Sequence, residues 1–343
     1  KRSGGVKNAI KLSSNESALG PAPQVLRALQ KALSAVHRYP DSLCHNLRSE
    51  LSGFLKVKPE NLIFGNGSDE LIVMAIRAFT EKKHEILTAK PTFLVYSIAT
   101  RVHGAKLIEV PLQNYAYDLK SMRKKITGNT KLIFIANPDN PTGSYIAKKE
   151  LQAFIRSVPR SCVVFIDEAY CEYASDTKQY ASCLDLIRMP NVIVSRTFSK
   201  AYGLSGLRIG YCAAHPLLID ALNRVREPFN VNSLAQTAAV SALKSQDYLT
   251  KVINLNTLEK ERVSDALKQL GCAVFPSATN FIMFSMSDAD SVAQDLIKRG
   301  VIIRNLTGWG LKNCLRVTVA TPSENSVFIK AMKQVVKNRG KKP

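Results

Sequence analysis

The chain has 343 residues, of which 45% are hydrophobic and 22% charged, and its formal net charge is +21 at pH 7. This length exceeds one average domain, and the composition is that of a soluble globular protein rather than a disordered chain. No apolar run reaches the roughly 20 residues of a transmembrane helix, and the first residues lack the apolar core of a signal peptide. We therefore expect no membrane partner.

The positive charge fits three kinds of partner: nucleic acid, an anionic membrane surface or anionic small molecules. The basic residues are dispersed, and their densest clusters lie at 123–125 and 337–342. No zinc-finger spacing, RNA-binding signature or basic amphipathic helix accompanies them. We interpret most of the charge as a solvated basic surface, expect no nucleic-acid partner, and keep anionic small molecules as candidate ligands.

Seven cysteines are present, and none belongs to a C-x-x-C pair. An odd number without metal-ligand spacing is typical of reduced thiols in a cytoplasmic protein. We expect no metal site.

The first predicted elements are helices. Residues 22–36 and 43–55 repeat leucine at helical spacing, and residues 65–79 combine a glycine turn with a largely apolar helix. Short β-branched runs then alternate with helical segments, at 85–89, 131–136, 163–167 and 191–195. This alternation predicts an α/β fold with a mainly parallel central sheet flanked by helices. After about residue 240, long helical stretches with a few strands predict a smaller α+β domain.

Polar clusters follow three of the predicted strands. They are "NPDNPTG" at 137–143, "DEAY" at 167–170 and "RTFSK" at 196–200. Open α/β sheets bind ligands at the carboxyl ends of their strands, so we expect these clusters to share a site.

The residue types at these strand ends suit an aldehyde cofactor that carries a phosphate. Lys200 can form a Schiff base, and Asp167, at the end of a buried strand, needs a cationic partner such as a protonated pyridine nitrogen. The hydroxyl of Tyr170 and the amide of Asn140 can reach a ring oxygen. A phosphate can be bound by Thr197, Ser199, Arg208 and the glycine turn that precedes the helix from residue 68.

Each of these features has a simpler interpretation when taken alone. A single lysine is usually solvated, Asp167 could cap a helix, and "GNGSDE" could be an ordinary helix start. Their common placement at strand ends favours the cofactor site.

With these motifs, the chain resembles the fold-type-I pyridoxal-phosphate aminotransferases, and among them the histidinol-phosphate aminotransferase subfamily. The resemblance covers residues 10–335. Its motifs include "HRYPD", "GNGSDELI", "NPDNPTG", "IDEAY", "RTFSKAYGLSGLRIGY" and "CLRVTV". Two segments depart from the family pattern. "NESALG" lacks the usual proline, with Leu19 where some members carry tyrosine, and Asp139 replaces an asparagine. Because Asp139 lies beside the cofactor contact, we expect it to contribute little.

The resemblance implies the cofactor, pyridoxal 5'-phosphate, and a role for each matching residue. Lys200 matches the Schiff-base lysine and proton shuttle, Asp167 the partner of the pyridine nitrogen, and Phe93 the aromatic ring that stacks on the cofactor. The remaining cofactor-binding residues are Tyr170, Asn140, Ser68, Asp69, Thr197, Ser199, Arg208 and Tyr39. The substrate-binding residues are Arg316, Arg304, Asn140 and Tyr39. Because Tyr39 matches a tyrosine that reaches the neighbouring subunit's site, the resemblance also implies a homodimer.

The resemblance further implies three segments: 1–40 as an N-terminal arm and part of the small domain, 41–245 as the large cofactor-binding domain, and 246–343 as the C-terminal small domain. The implied reaction transfers an amino group between histidinol phosphate and 2-oxoglutarate, giving imidazole-acetol phosphate and glutamate. Three alternatives remain open at this point: an aromatic or broad-specificity aminotransferase, a threonine-phosphate decarboxylase, and a non-catalytic basic binding module.

Overall fold

Strands and helices alternate through the chain in the computed structural model, which describes residues 9–175 and 177–339. The strands are β1 (Ile10–Lys11), β2 (Leu62–Gly65), β3 (Glu85–Lys90), β4 (Lys106–Pro111), β5 (Thr130–Ala136), β6 (Val163–Asp167), β7 (Val192–Thr197), β8 (Gly210–Ala214), β9 (Ala273–Val274), β10 (Phe281–Ser285), β11 (Val301–Ile302), β12 (Arg304–Asn305) and β13 (Cys314–Thr318). The helices are α1 (Pro23–Ala32), α2 (His45–Leu55), α3 (Ser68–Phe79), α4 (Leu94–His103), α5 (Leu119–Lys124), α6 (Lys148–Ser157), α7 (Cys171–Ala174), α8 (Pro216–Asn223), α9 (Ser233–Leu243), α10 (Gln246–Gln269), α11 (Ala289–Lys298) and α12 (Pro322–Arg339).

Seven strands form the central sheet, in the order β2-β8-β7-β6-β5-β3-β4. Strand β8 runs antiparallel to β2 and β7, and the other neighbouring pairs are parallel. Successive side chains of β5 point into different cores, Ile133 and Ile135 into one and Phe134 into the other. A sheet covered on both faces explains why its strands read as continuous apolar runs. The predicted mainly parallel α/β fold is confirmed, whereas the antiparallel β8 was not predicted.

A smaller antiparallel sheet, in the order β12-β13-β10-β9, has its own apolar core around Phe284, Leu315 and Phe328. Strand β1 pairs in parallel with β11, so the N-terminal segment lies with the C-terminal region. Helix α1, by contrast, shares the core of the large sheet through Val25. The three-segment division at residues 40 and 245 stays a prediction, and its ends at 1–8 and 340–343 lie outside the described residues.

Two further properties bear on the sequence-based expectations. Within residues 9–175 and 177–339, no helix combines the length and apolar character needed to span a membrane. The seven cysteines are free thiols with buried side chains.

Candidate active site

The carboxyl ends of β5, β6 and β7 lie side by side, because these three strands are parallel neighbours in the sheet. Together with the start of α3 they surround one cavity. Its walls contain the predicted residues Ser68, Asp69, Phe93, Asn140, Asp167, Tyr170, Thr197, Ser199, Lys200 and Arg208, and also Ala136, Pro138 and Ala169. The structure thus brings together residues that are up to 140 positions apart in the sequence.

Asp167, the last residue of β6, is buried at the floor of this cavity. Its carboxylate accepts hydrogen bonds from Tyr96 Oη at 2.7 Å and from the backbone N–H of Ala169 at 3.1 Å. Burial raises the pKa of Asp167 to about 6, although these two hydrogen bonds oppose the shift. No described residue forms an ion pair with Asp167, so its carboxylate is available to a cationic ligand atom.

Lys200 follows the carboxyl end of β7, the strand next to β6, and lies beside Tyr170. Its Nζ atom is 5.6 Å from the centroid of the Tyr170 ring. The Tyr170 hydroxyl accepts a hydrogen bond from Asn15 Nδ2 at 2.9 Å, and the ring meets Phe281 edge-on at 5.4 Å between centroids. These contacts hold the tyrosine in a single orientation beside the amine.

A group of donors at one end of the cavity suits a phosphate. Helix α3 begins at Ser68 and points its positive end at the cavity. Arg208 is held there by an ion pair with Asp69, 3.0 Å between nitrogen and oxygen. Thr197 Oγ1 accepts a hydrogen bond from the backbone N–H of Ser199. The buried Oγ atom of Ser199 has no hydrogen-bond partner among the described residues. Because buried hydroxyls are normally hydrogen-bonded, this one is suited to bind a ligand.

Two arginines lie on neighbouring strands of the small sheet, and one of them, Arg316, contacts the wall of the cavity. Arg304 and Arg316 are directly paired across β12 and β13, and both donate to the carbonyl oxygen of Ser13, at 3.3 and 3.1 Å. Arg316 also donates a short hydrogen bond to Oδ1 of Asn140, which lines the cavity. Burial lowers the pKa of Arg316 to about 10, and the charge of Arg304 adds to this shift. Neither arginine forms an ion pair within the described chain, so the pair is suited to an anionic ligand.

Tyr39 lies away from this cavity in the described chain. Its side chain is 84% exposed and stacks on Phe229, with 4.7 Å between ring centroids. Its predicted role needs a second subunit.

The chain is similar to known proteins over nearly its whole length, both in sequence and in fold. Residues 7–332 match the family described as aminotransferase class I and II. The chain belongs to this aminotransferase family. Histidinol-phosphate aminotransferase of Moorella thermoacetica is 43% identical over 97% of the chain and 86% of its own length. Histidinol-phosphate aminotransferase 1 of Cupriavidus pinatubonensis is 42% identical over 96% of the chain and 88% of its own length.

Among solved structures, histidinol-phosphate aminotransferase of Sinorhizobium meliloti in complex with pyridoxal-5'-phosphate has a similar fold, with a TM-score of 0.91. It is 31% identical and is matched over 98% of this chain and 93% of that one.

In this aminotransferase, two side chains that donate hydrogen bonds to predicted site residues were not themselves predicted from the sequence. Asn15 comes from the N-terminal segment and donates to Tyr170, while Tyr96 comes from α4 and donates to Asp167. Asn15 belongs to the "NES" motif, which the resemblance covered, so the motif could have identified Asn15 as a site residue. Tyr96 ends the segment "KPTFLVY", which the resemblance also covered, but its place in an amphipathic helix favoured a core position.

Proposed function

We propose that this aminotransferase uses pyridoxal 5'-phosphate to convert L-histidinol phosphate and 2-oxoglutarate into imidazole-acetol phosphate and L-glutamate. The family membership and the names of relatives more than 40% identical support the reaction. The observation that carries the proposal is the arginine pair. Arg316 donates to Asn140 in the wall of the cavity, Arg304 is paired with Arg316 across the two strands, and neither has an acidic partner among the described residues. These reactants are all anions.

The residues of the cavity fit this cofactor. Ser199 offers a buried hydroxyl that has no hydrogen-bond partner in the described part of the chain, and Arg208, Ser68 and Thr197 line the same cavity near the start of α3. Asp167 offers a carboxylate to the ring nitrogen, and Phe93 offers an aromatic face. When bound, pyridoxal phosphate supplies an aldehyde that takes up the amino group and a ring that accepts the electrons of the substrate's C–H bond.

Each protein group then has a defined task. Lys200 Nζ binds the cofactor and moves the proton between the reacting carbons, as a positioned general base and acid. Asp167 keeps a proton on the ring nitrogen, since an ionised carboxylate in a buried site favours a cation beside it. Tyr170, oriented by Asn15, and Asn140 orient the ring oxygen. Arg316, with Arg304, binds the anionic group of the substrate.

We further propose that the enzyme is a cytoplasmic homodimer, in which Tyr39 reaches the site of the partner subunit. The exposed position of Tyr39 supports the dimer. The seven free, buried cysteines support a reducing compartment.

The proposed activity can be tested with Lys200→Ala and the charge-conserving control Lys200→Arg. We expect the purified protein to be yellow with bound cofactor and to transfer the amino group of histidinol phosphate in preference to phenylalanine or tyrosine. Both variants should lose the absorbance band that depends on Lys200, and their rates should fall at least about a thousandfold.

Other outcomes would favour another function. Preference for phenylalanine or tyrosine would indicate an aromatic aminotransferase, and release of carbon dioxide from threonine phosphate would indicate a decarboxylase. A colourless wild-type protein without any transamination would contradict the enzyme assignment.

A further inference from the structure

Asp139 is buried at a position where the family motif has asparagine, between two loops that line the cavity. It lies one residue before Asn140 and is completely inaccessible to solvent. Its Oδ1 atom accepts a hydrogen bond from Thr92 Oγ1 at 2.6 Å. Its Oδ2 atom accepts from Thr142 Oγ1 at 2.8 Å and from the Thr142 backbone N–H at 3.3 Å. Three donors therefore converge on the carboxylate of Asp139. This is more hydrogen bonding than we expected of a residue that merely lies beside the cofactor contact.

The hydrogen bonds on the Thr92 side form a directed chain. The backbone N–H of Ala136 donates to Tyr117 Oη at 3.1 Å, and Tyr117 lies 2.7 Å from Thr92 Oγ1, which donates to Asp139. Because Thr92 gives its proton to the carboxylate, Tyr117 donates to Thr92. Chains of this kind polarise one another and are strongest when they end on a charged acceptor.

The two threonines belong to the loops that carry two different lining residues of the cavity, Phe93 and Asn140. Thr92 directly precedes Phe93, whereas Thr142 lies in the loop of Asn140, whose amide oxygen holds Arg316. No described residue forms an ion pair with Asp139, although its charge acts favourably on the buried guanidinium of Arg316. The carboxylate thus connects the wall that would stack on the cofactor with the wall that would bind the substrate.

We propose that Asp139 is a positioning residue, which fixes the Phe93 loop and the Asn140 loop relative to each other and thereby places Arg316. The tasks of those walls rest on the proposed function, but the connection between them does not.

The two threonines allow the two walls to be tested separately. Thr92→Val keeps the side-chain shape and removes the donor toward the Phe93 wall, so it should weaken cofactor binding about tenfold with a smaller change in the KM for 2-oxoglutarate. Thr142→Val should instead raise the KM for 2-oxoglutarate about tenfold, with a smaller change in cofactor binding. Asp139→Ala should weaken both by at least tenfold, and Asp139→Asn, which retains an acceptor for Thr92, should restore cofactor affinity more than KM.

Glu85→Gln is the matched control. Glu85 is also a buried acid that accepts from a threonine, Thr127 Oγ1 at 2.6 Å, but it lies at the far end of β3. Both constants should stay within about twofold in this variant.

The pH dependence of KM gives a readout that a purely structural role would not change. Burial raises the pKa of Asp139 to about 6, and the titratable groups that respond to its charge are Tyr96, Tyr117 and Arg316. A protonated carboxyl offers fewer acceptor sites, so the wild-type KM for 2-oxoglutarate should rise as the pH falls through about 6. The carboxylates of 2-oxoglutarate stay ionised in that range, and Asp139→Asn should lack the inflection.

Unchanged cofactor affinity and KM in folded Asp139→Ala would overturn the inference, as would equal effects of the two threonine variants on both constants. If Asp139→Ala does not fold, the threonine pair decides. An inactive wild-type protein would contradict the proposed function alone, because the cofactor titrations would still test Asp139.

Discussion

Two carboxylates beside the cavity, Asp139 and Asp167, are buried, and the hydrogen bonds that they accept within the described chain come from neutral donors. Burial raises the pKa of each to about 6. A group whose pKa is raised by folding stabilises the folded chain only while it is protonated. That contribution is fully present below about pH 4 and is lost as the pH rises through about 6. At neutral pH the two ionised carboxylates therefore lower the free energy of unfolding. A cationic ligand atom beside Asp167 would offset the share of Asp167.

Asp167→Asn should consequently have opposite effects on stability and on catalysis. In the cofactor-free protein we expect the free energy of unfolding at pH 7.5 to rise by up to about 3 kcal/mol, with little change below pH 4. In the loaded enzyme, proton abstraction should slow at least about a hundredfold. Urea unfolding at two pH values and single-turnover kinetics measure the two effects. Near wild-type proton abstraction would contradict the role of Asp167.

Glu85→Gln provides the opposite case for stability. A hydrogen bond from Thr127 and the ion pair with Lys106 lower the pKa of Glu85. The stability contributed by its charge is present at neutral pH and lost in acid, so this variant should be less stable than the wild type at pH 7.5.

At the scale of elements, the turn between β2 and α3 shapes the phosphate end of the cavity. Gly67 caps α3 with φ +81° and ψ 170°, a conformation that essentially only glycine adopts. A Cβ atom at this position would lie 2.4 Å from a terminal nitrogen of Arg208. The glycine therefore permits both the turn and the close approach of the arginine.

Gly67→Ala should lower the free energy of unfolding by about 1–3 kcal/mol and weaken cofactor binding, since Arg208 must move away from Asp69. Gly53→Ala is the matched control. Gly53 lies in α2 with open space around its Cβ position, so alanine there should stabilise the chain by up to about 1 kcal/mol. Denaturant unfolding and cofactor titration compare the two variants, and equal behaviour would argue against a special role for Gly67.

At the scale of the whole molecule, several large apolar side chains near Tyr39 in the sequence lie in solvent. Leu26, Leu33 and Val36 are each more than half exposed, and Tyr39 contacts only the partly exposed Phe229 among aromatic rings of the described chain. Exposed apolar groups of this kind are common at subunit interfaces. We propose that a two-fold dimer covers them and brings Tyr39 of the partner subunit toward the cavity.

Subunit complementation tests this arrangement. Tyr39→Ala and Lys200→Ala should each be nearly inactive as homodimers. Reassembly of an equal mixture makes about half of the dimers mixed, and in each of these one site carries both lesions and the other neither. About a quarter of all sites should regain activity.

The matched control combines Arg316→Ala with Lys200→Ala. Because Arg316 contacts Asn140 of its own chain, every site of that mixture would contain one lesion and stay inactive. Absence of recovery in verified Tyr39/Lys200 heterodimers would exclude the intersubunit role.

The sequence by itself determined the parallel core strands and the polar residues that follow them. Both are local patterns: a strand buried on two faces must be continuously apolar, and its carboxyl end is where polar residues reappear. Lys200, Asp167 and Asn140 could therefore be placed at one sheet edge from the sequence.

Tertiary structure alone decided the partners of these residues. Asn15 docks on Thr318 and Tyr170, Tyr96 donates to Asp167, Asp139 becomes a buried connection between two loops, and Tyr39 is left in solvent. Such contacts join segments far apart in the chain, and packing selects them from many polar residues that have equal local propensity.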